Sequence, residues 1–306
     1  MQTVVYLIKL FSFLAIGAAS ALLVGKQRFH RFSVVLLDVV LYLLLFLMGV
    51  NTGSIPNIGE HILMMGIDAL IATILVLGGS IASAVLLGLI FSKRVSRSAR
   101  LRQPITLEKL KNPLRMMGVV LLGLLGSALT PWFGWFDDSL ITIILYLMLF
   151  FVGMQMVQQE IELLPLLRSP MILLLPLATI IGTYAGILLF PLFSNYTIRQ
   201  ALTMVSGFGW YSLSGVMISS LGDPRLGAVS FLSNLFREMF SFVLVPFLAA
   251  FSSASFSSIS VGGATSMDVM LPLLRKSLGE TAVPLAIVHG MILSLLGPFL
   301  IPLWFG

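Results

Sequence analysis

Apolar residues fill this chain in long unbroken runs rather than alternating or recurring along one face. A helix that is apolar all round has no side for water, and about 20 such residues are needed to cross the hydrocarbon core of a bilayer. Runs of that length fall near 3–25, 33–52, 66–91, 114–131, 139–157, 171–193, 227–250 and 282–305. Two further stretches, 200–221 and 258–274, are interrupted by Gly, Ser and Thr. The pattern predicts an all-α polytopic membrane protein of about eight transmembrane helices plus two broken or re-entrant segments.

The first six runs carry an internal repeat. "LYLLLFLMG" at 41–49 returns as "LYLMLFFVG" at 145–153, and the same offset of 104 carries Gly78 onto Gly182 and Ala82 onto Gly186. Three helices per unit is an odd number, so the second copy enters the membrane upside down. Inverted repeats are a mark of secondary transporters, whose sites lie near the midplane beside broken helices. Residues 1–195 are therefore expected to form two inverted three-helix repeats, 1–92 and 108–195, that act as a scaffold. Residues 196–306 hold the broken segments and two spanning helices, the expected substrate-binding region.

Composition supports the membrane assignment. Of 306 residues 58% are hydrophobic and only 10% charged, against about 25% charged in soluble domains. No cleavable signal peptide is expected, because the chain opens directly into a spanning-length run. Cys is absent, which excludes disulfides, thiolate nucleophiles and Cys-ligated metals. No pair of His has metal-ligand spacing, and His30 and His61 read as loop residues. The net charge of +6 does not point to nucleic acid, because the basic residues sit in short loops. Lys26, Arg28 and Arg31 follow the first run, and eight basic residues from Lys93 to Arg115 follow the third with one acid among them. Placing these loops in the cytoplasm puts both termini outside. A polybasic site for anionic membrane lipid is the alternative reading of the same loops.

Ionisable groups inside the runs carry the chemistry. Glu238 lies near the middle of "SNLFREMFSFVLVPF", where a charge costs about 2.5–3.5 kcal/mol on insertion scales. It must face a polar cavity, find a partner or be protonated. Arg237 is its neighbour in sequence but points about 100° away around a helix and so serves another partner. Asn234, one turn earlier, shares the face of Glu238 and is expected to donate a hydrogen bond to it. The alternative role for Glu238 is a buried ion pair that locks helices together.

In "SVGGATSMDVMLPLLRKS", Gly262 and Gly263 free the backbone, Thr265 and Ser266 supply hydroxyls, and Asp268 supplies a carboxylate. Ser266 or Asp268 capping a restarted helix is the simpler reading. In "SGFGWYSLSG", Ser206, Ser212 and Ser214 can satisfy freed amides, while Trp210 and Tyr211 offer ring faces to a cation. Small-residue helix packing is the alternative there. His289 in "AIVHGMILSLLGP" is either a hydrogen-bonded packing residue or a proton relay. Asn51, just after the first "FLMG", is polar near a helix end.

"SGFGWYSLSG", "GGATSMDVMLPLL" and "PLAIVHGMILSLL", with "FLMG" and "NLFREM", resemble the signature stretches of LysO-type bacterial L-lysine exporters. The likeness is densest over about 200–300. It implies an inner-membrane exporter of lysine and its toxic analogue thialysine, with both termini outside and intramembrane acids that matter for transport. Glu238 matches the acid in "FREM". The other acid of the family, expected near the end of the second helix, has no clear match, since this chain reads "GVNTG" there, with Asn51 in that region.

A cationic amino acid needs a carboxylate for its ammonium group, while helix ends exposed by broken segments suit its α-carboxylate. No GxxxxGK[ST] nucleotide-binding loop is present, so no cofactor is expected and H⁺ or Na⁺ is the expected coupling ion. Oligomeric state stays open, a homo-oligomer included. Two rival readings remain. One is a channel for small cations or amino acids. The other is an intramembrane protease, because "SLSG" at 212–215 with His289 resembles the Ser/His dyad of rhomboid-type enzymes.

Overall fold

The computed structural model describes residues 2–24, 30–56, 58–91, 111–133, 137–158, 170–251 and 255–306. Among these the ordered elements are all helical, as an apolar interior requires of an open chain that must satisfy its own backbone. Six long helices come first: α1 (Gln2–Val24), α2 (His30–Gly53), α3 (Ile58–Ile90), α4 (Lys111–Leu129), α5 (Asp138–Gln158) and α6 (Met171–Ile187). Then come α7 (Ile198–Val205), α8 (Tyr211–Ser220), α9 (Pro224–Ala249), α10 (Ser255–Gly262), a 3₁₀ turn at Gly263–Met267, α11 (Leu271–Leu278) and α12 (Val283–Phe305). Most of the basic residues that set the expected orientation lie outside the described residues.

Five of these helices are long and apolar enough to cross a membrane, and α1, α4 and α5 contribute shorter apolar segments. Large apolar side chains stay exposed around the outside, among them Leu23, Leu63, Ile74, Leu122, Leu173 and Phe247. A soluble surface does not carry a band of this extent; it is the lipid-facing side of a multi-pass membrane protein. α3 starts eight residues earlier than its apolar run, because "IGEHILMM" continues the helix past the hydrocarbon. His61 therefore belongs to α3, and His30 opens α2, rather than lying in loops.

The first six helices pack in a pattern that maps onto itself when α1–α3 exchange with α4–α6: α1 lies on α5, α2 on α4, and α3 on α6. Ser33 at the start of α2 donates to the Gln158 side chain at the end of α5 (2.9 Å), so these two run antiparallel. α3 and α6 are antiparallel as well, with Gly79 against Gly182 and Leu75 against Gly186. A methyl group on Gly49 would strike the carbonyl of Val120 on α4, and one on Gly153, its match at offset 104, would strike that of Leu14 on α1. Close backbone approach through small residues drives such contacts in lipid. The contact on α3 uses Gly79, next to the Gly78 singled out from the repeat.

Neither α7 nor α8 can span: eight and ten residues reach about 12 and 15 Å, against about 30 Å of hydrocarbon. Tyr196 and Gln200 at the start of α7 share one cavity with Asp223 and Arg225 at the start of α9. The chain thus leaves and returns at the same end, and α7–α8 is a re-entrant hairpin. A capping box between Thr197 and Gln200 starts its first arm, and the Asp223 cap with Pro224 restarts the chain as α9. α10–α11 enters from the other end, since Leu273, Leu274 and Leu278 share a core with Leu87 and Leu248 near the far ends of α3 and α9. From there α12 returns to the first end, where the Arg199 Nε donates to the Trp304 carbonyl (2.8 Å).

Candidate functional site

The two hairpin tips meet inside the bundle. Phe208 and Gly209 turn the first at φ 50° and 102°, and Gly263 turns the second at φ 57°. Ala264 N–H donates to the Phe208 carbonyl (2.8 Å), joining tip to tip. A Cβ on Gly263 would collide with that carbonyl, so both the φ and the contact require glycine.

One face of α9 holds both tips. Ser230, Asn234, Arg237 and Ser241 recur at helical spacing and form a single polar stripe. Ser230 Oγ donates to the Met204 carbonyl at 2.6 Å. Asn234 Oδ1 accepts from Gly209 N–H (2.7 Å), and its Nδ2 donates to the Met204 and Ser230 carbonyls and to Ser214 Oγ. Arg237 donates through Nη2 to the Ser260 carbonyl (2.9 Å) and through Nε to that of Val261 (3.2 Å). Ser241 Oγ adds a bond to the Val261 carbonyl (2.8 Å). A cation thus caps the C-terminal end of α10, where orphan carbonyls and the helix dipole favour positive charge. Arg237 thus serves a partner other than Glu238, as its place around the helix implies, and that partner is the end of α10.

Glu238 is 1% exposed, and neither of its carboxylate oxygens has a hydrogen-bond partner among the described residues. Arg237, 2% exposed, keeps Nη1 unpartnered as well. The expected hydrogen bond from Asn234 to Glu238 is not made, because the Asn234 amide is spent on the first tip. The groups that act on Glu238 electrostatically, Tyr211 at the start of α8 and Asp268 just past the second tip, are both acids and oppose its charge.

The remaining sequence candidates divide by location. Ser206 and Ser214 donate to the Leu202 and Tyr211 carbonyls, so the freed amide of Gly209 is served by Asn234 rather than by serine. Ser206 also pairs with the Tyr184 hydroxyl (2.8 Å), which accepts from Trp304 Nε1 (3.1 Å) and ties the first tip to α12. Tyr211 is buried, its hydroxyl on the Met116 sulfur and its ring edge-on to Phe231. Trp210 is half-buried, and Ser212 is buried in the first turn of α8.

Thr265 bonds back to the Gly262 carbonyl (2.8 Å). Asp268 is exposed and accepts from its neighbour Val269 N–H (2.6 Å). Neither Ser266 nor Asp268 caps α11, whose N-cap residue is Met270 and which has no side-chain cap. His289 is fully buried, with Nε2 on Thr179 Oγ1 (2.9 Å) and Nδ1 on Ser266 Oγ (3.0 Å). Both ring nitrogens are engaged, and the Ser214 hydroxyl points to Tyr211, so the Ser/His dyad of the protease reading is not formed. Asn51 is buried on α2 with its Nδ2 unpartnered among the described residues. It is not on the polar stripe of α9.

A cavity of about 820 Å³ opens at the mouth of the first hairpin, lined among others by His61, Asp68, Tyr196, Gln200, Asp223 and Arg225. Burial raises the phenol pKa of Tyr196, and the Arg225 charge opposes that rise. Asp68 was passed over in the sequence although "GIDALIATIL" sets an acid in an apolar run, the same signal that marked Glu238.

The comparisons with known proteins fit this architecture. The Lysine exporter LysO family matches residues 11–102 and 117–305. The Lysine exporter LysO of Escherichia coli is 31% identical over 268 residues, covering 87% of this chain and 88% of that protein. A Haemophilus influenzae protein provisionally named a lysine exporter is 32% identical over 188 residues, covering 61% of this chain and 94% of its own. No solved structure matches. With the family matched along nearly the whole of the chain, this protein belongs to the lysine exporter LysO family.

Proposed function

We propose that the protein is a secondary active exporter of L-lysine, and of its analogue thialysine, that works by alternating access with H⁺ or Na⁺ as the coupling ion. The observation that carries this reading is Glu238: a buried carboxylate with both oxygens unpartnered, beside the junction of two re-entrant tips. An uncompensated carboxylate there is costly, and an ammonium group or a proton relieves that cost. Glu238 therefore takes a substrate ammonium group in one state and a proton in another. The first turn of α8 has no side-chain cap at Trp210, which leaves backbone amides free for the α-carboxylate. The names of the relatives favour lysine among cationic amino acids.

In this reading α1–α3 and α4–α6 are inverted repeats forming a scaffold, supported by the antiparallel course of α2 against α5 and α3 against α6. The protein sits in the inner membrane with both termini outside, its exposed apolar band against lipid. The test is efflux of preloaded lysine from cells, with and without an imposed proton gradient. Glu238→Gln is expected to cut that flux at least about tenfold while the protein stays in the membrane, since a charge-assisted contact of 1.5–3 kcal/mol is lost. Normal flux in that variant would remove Glu238 from the mechanism. No lysine efflux and no thialysine resistance in wild-type cells would sink the exporter reading altogether.

A further inference from the structure

Two opposite charges lie side by side in the interior without pairing. Glu238 leaves both oxygens free and Arg237 leaves Nη1 free, while no ion pair joins the two among the described residues. Leaving either charge uncompensated in a low-dielectric interior is expensive. Helix geometry accounts for the separation, since successive side chains diverge by about 100°.

The Arg237 guanidinium lies between the two tips. A Cβ on Gly263 would stand 3.2 Å from its Cζ, and one on Gly209 would stand 3.8 Å from its Cδ. Two of its three nitrogens are fixed on the last carbonyls of α10, so the third is held rigidly rather than searching for a partner. A rigid guanidinium edge suits a carboxylate. A simple diamine would answer Glu238 and leave Arg237 bare, and a simple anion would do the reverse. A molecule with both charges answers both.

We infer that Arg237 Nη1 binds the α-carboxylate of the substrate, so that the site accepts cationic α-amino acids and rejects diamines of the same length. This rests on the lysine-export reading above and adds to it a charged group that shares the carboxylate with the backbone amides of α8. It also follows that the substrate, once bound, is tied through one guanidinium to the end of α10, and so to the second hairpin.

The test uses the whole protein in lipid vesicles with labelled lysine, competed by unlabelled lysine, lysinamide and 1,5-diaminopentane. Lysinamide and the diamine are expected to compete at least about tenfold more weakly than lysine, the scale of one charge-assisted hydrogen bond. Equal competition by the diamine would overturn the inference while leaving lysine export standing. No lysine flux in wild-type vesicles would overturn the reading beneath it, and the inference with it. Arg237→Lys keeps the charge but loses the fork. It is expected to raise the KM for lysine about tenfold and bring the lysine-to-diamine ratio towards one. A membrane-inserted Arg237→Lys protein that kept the wild-type ratio would also overturn the inference. If that variant does not fold, competition in the wild type decides alone.

Discussion

The two re-entrant hairpins reach the same place from opposite ends, yet they are held by different chemistry. The first is buried throughout its return arm, every residue of α8 from Tyr211 to Ser219 being covered, and packs on α2, α5 and α9. Its tip is held by neutral groups, Asn234 and Ser230. The second exposes Asp268 and Val269 just beyond its tip and Arg275 and Lys276 on its return arm, and a cation holds the end of α10. An amide that binds a backbone N–H has nothing to trade when a charged substrate arrives. A guanidinium with one nitrogen free does, because a carboxylate can join the same group without breaking its existing bonds. The second hairpin is thus the one whose anchoring a substrate can change.

The largest contrast between the hairpins concerns the side from which each is reached. The chain has no Cys, so a single introduced thiol reports without background. A Cys replacing Asp223 and one replacing Lys276 should react with an impermeant reagent from opposite faces of the membrane, each all-or-none. Labelling from one common face would break the pairing of hairpins outright. Next in size is Gly263→Ala at the second tip. The added methyl group meets the Phe208 carbonyl at a φ of 57°, and the strain together with the lost Ala264 bond should destabilise by about 3 kcal/mol. A thermal melt in detergent would read this as a large drop or as failure to fold. A wild-type melting temperature would mean the tips do not touch.

These contrasts also mark what could be read from the sequence and what could not. The eight apolar runs were legible as helices because about 20 apolar residues have one use in such a chain, and five of those helices are long and apolar enough to cross a membrane. "GFGWYSLSG" and "GGATSMD" were legible as breaks because glycine and serine replace the residues that keep a membrane helix regular. That each break turns back was not legible: Asp223 and Arg225 cancel in the loop that would have reported it, so loop charge was silent. Partners of adjacent polar residues were equally hidden. Asn234 shares a face with Glu238 yet serves Gly209, because the nearest orphan amide belongs to a segment 25 residues away in sequence. His289 could have been a relay or a packing residue, and only its two hydroxyl partners tell which kind of contact it makes.

The smallest effect expected belongs to the first tip, and its size follows from redundancy. Asn234→Ala removes five contacts, but most of their partners keep another. Ser230 still donates to the Met204 carbonyl (2.6 Å), and Ser214 still donates to that of Tyr211. Only Gly209 N–H, previously bonded at 2.7 Å, is left as a buried donor without an acceptor. One such orphan costs about 2 kcal/mol, so Asn234→Ala should lower stability by less than Gly263→Ala does. Ser230→Ala leaves the Met204 carbonyl with Asn234 Nδ2 (3.1 Å) and no orphaned amide, so it should lower stability less again, by about 1 kcal/mol. Matched melts of the two variants separate these outcomes. Equal losses would mean that the carbonyl end of α7, rather than the Gly209 amide, is what α9 holds, and the contrast between a neutral and a charged tip would then rest on Arg237 alone.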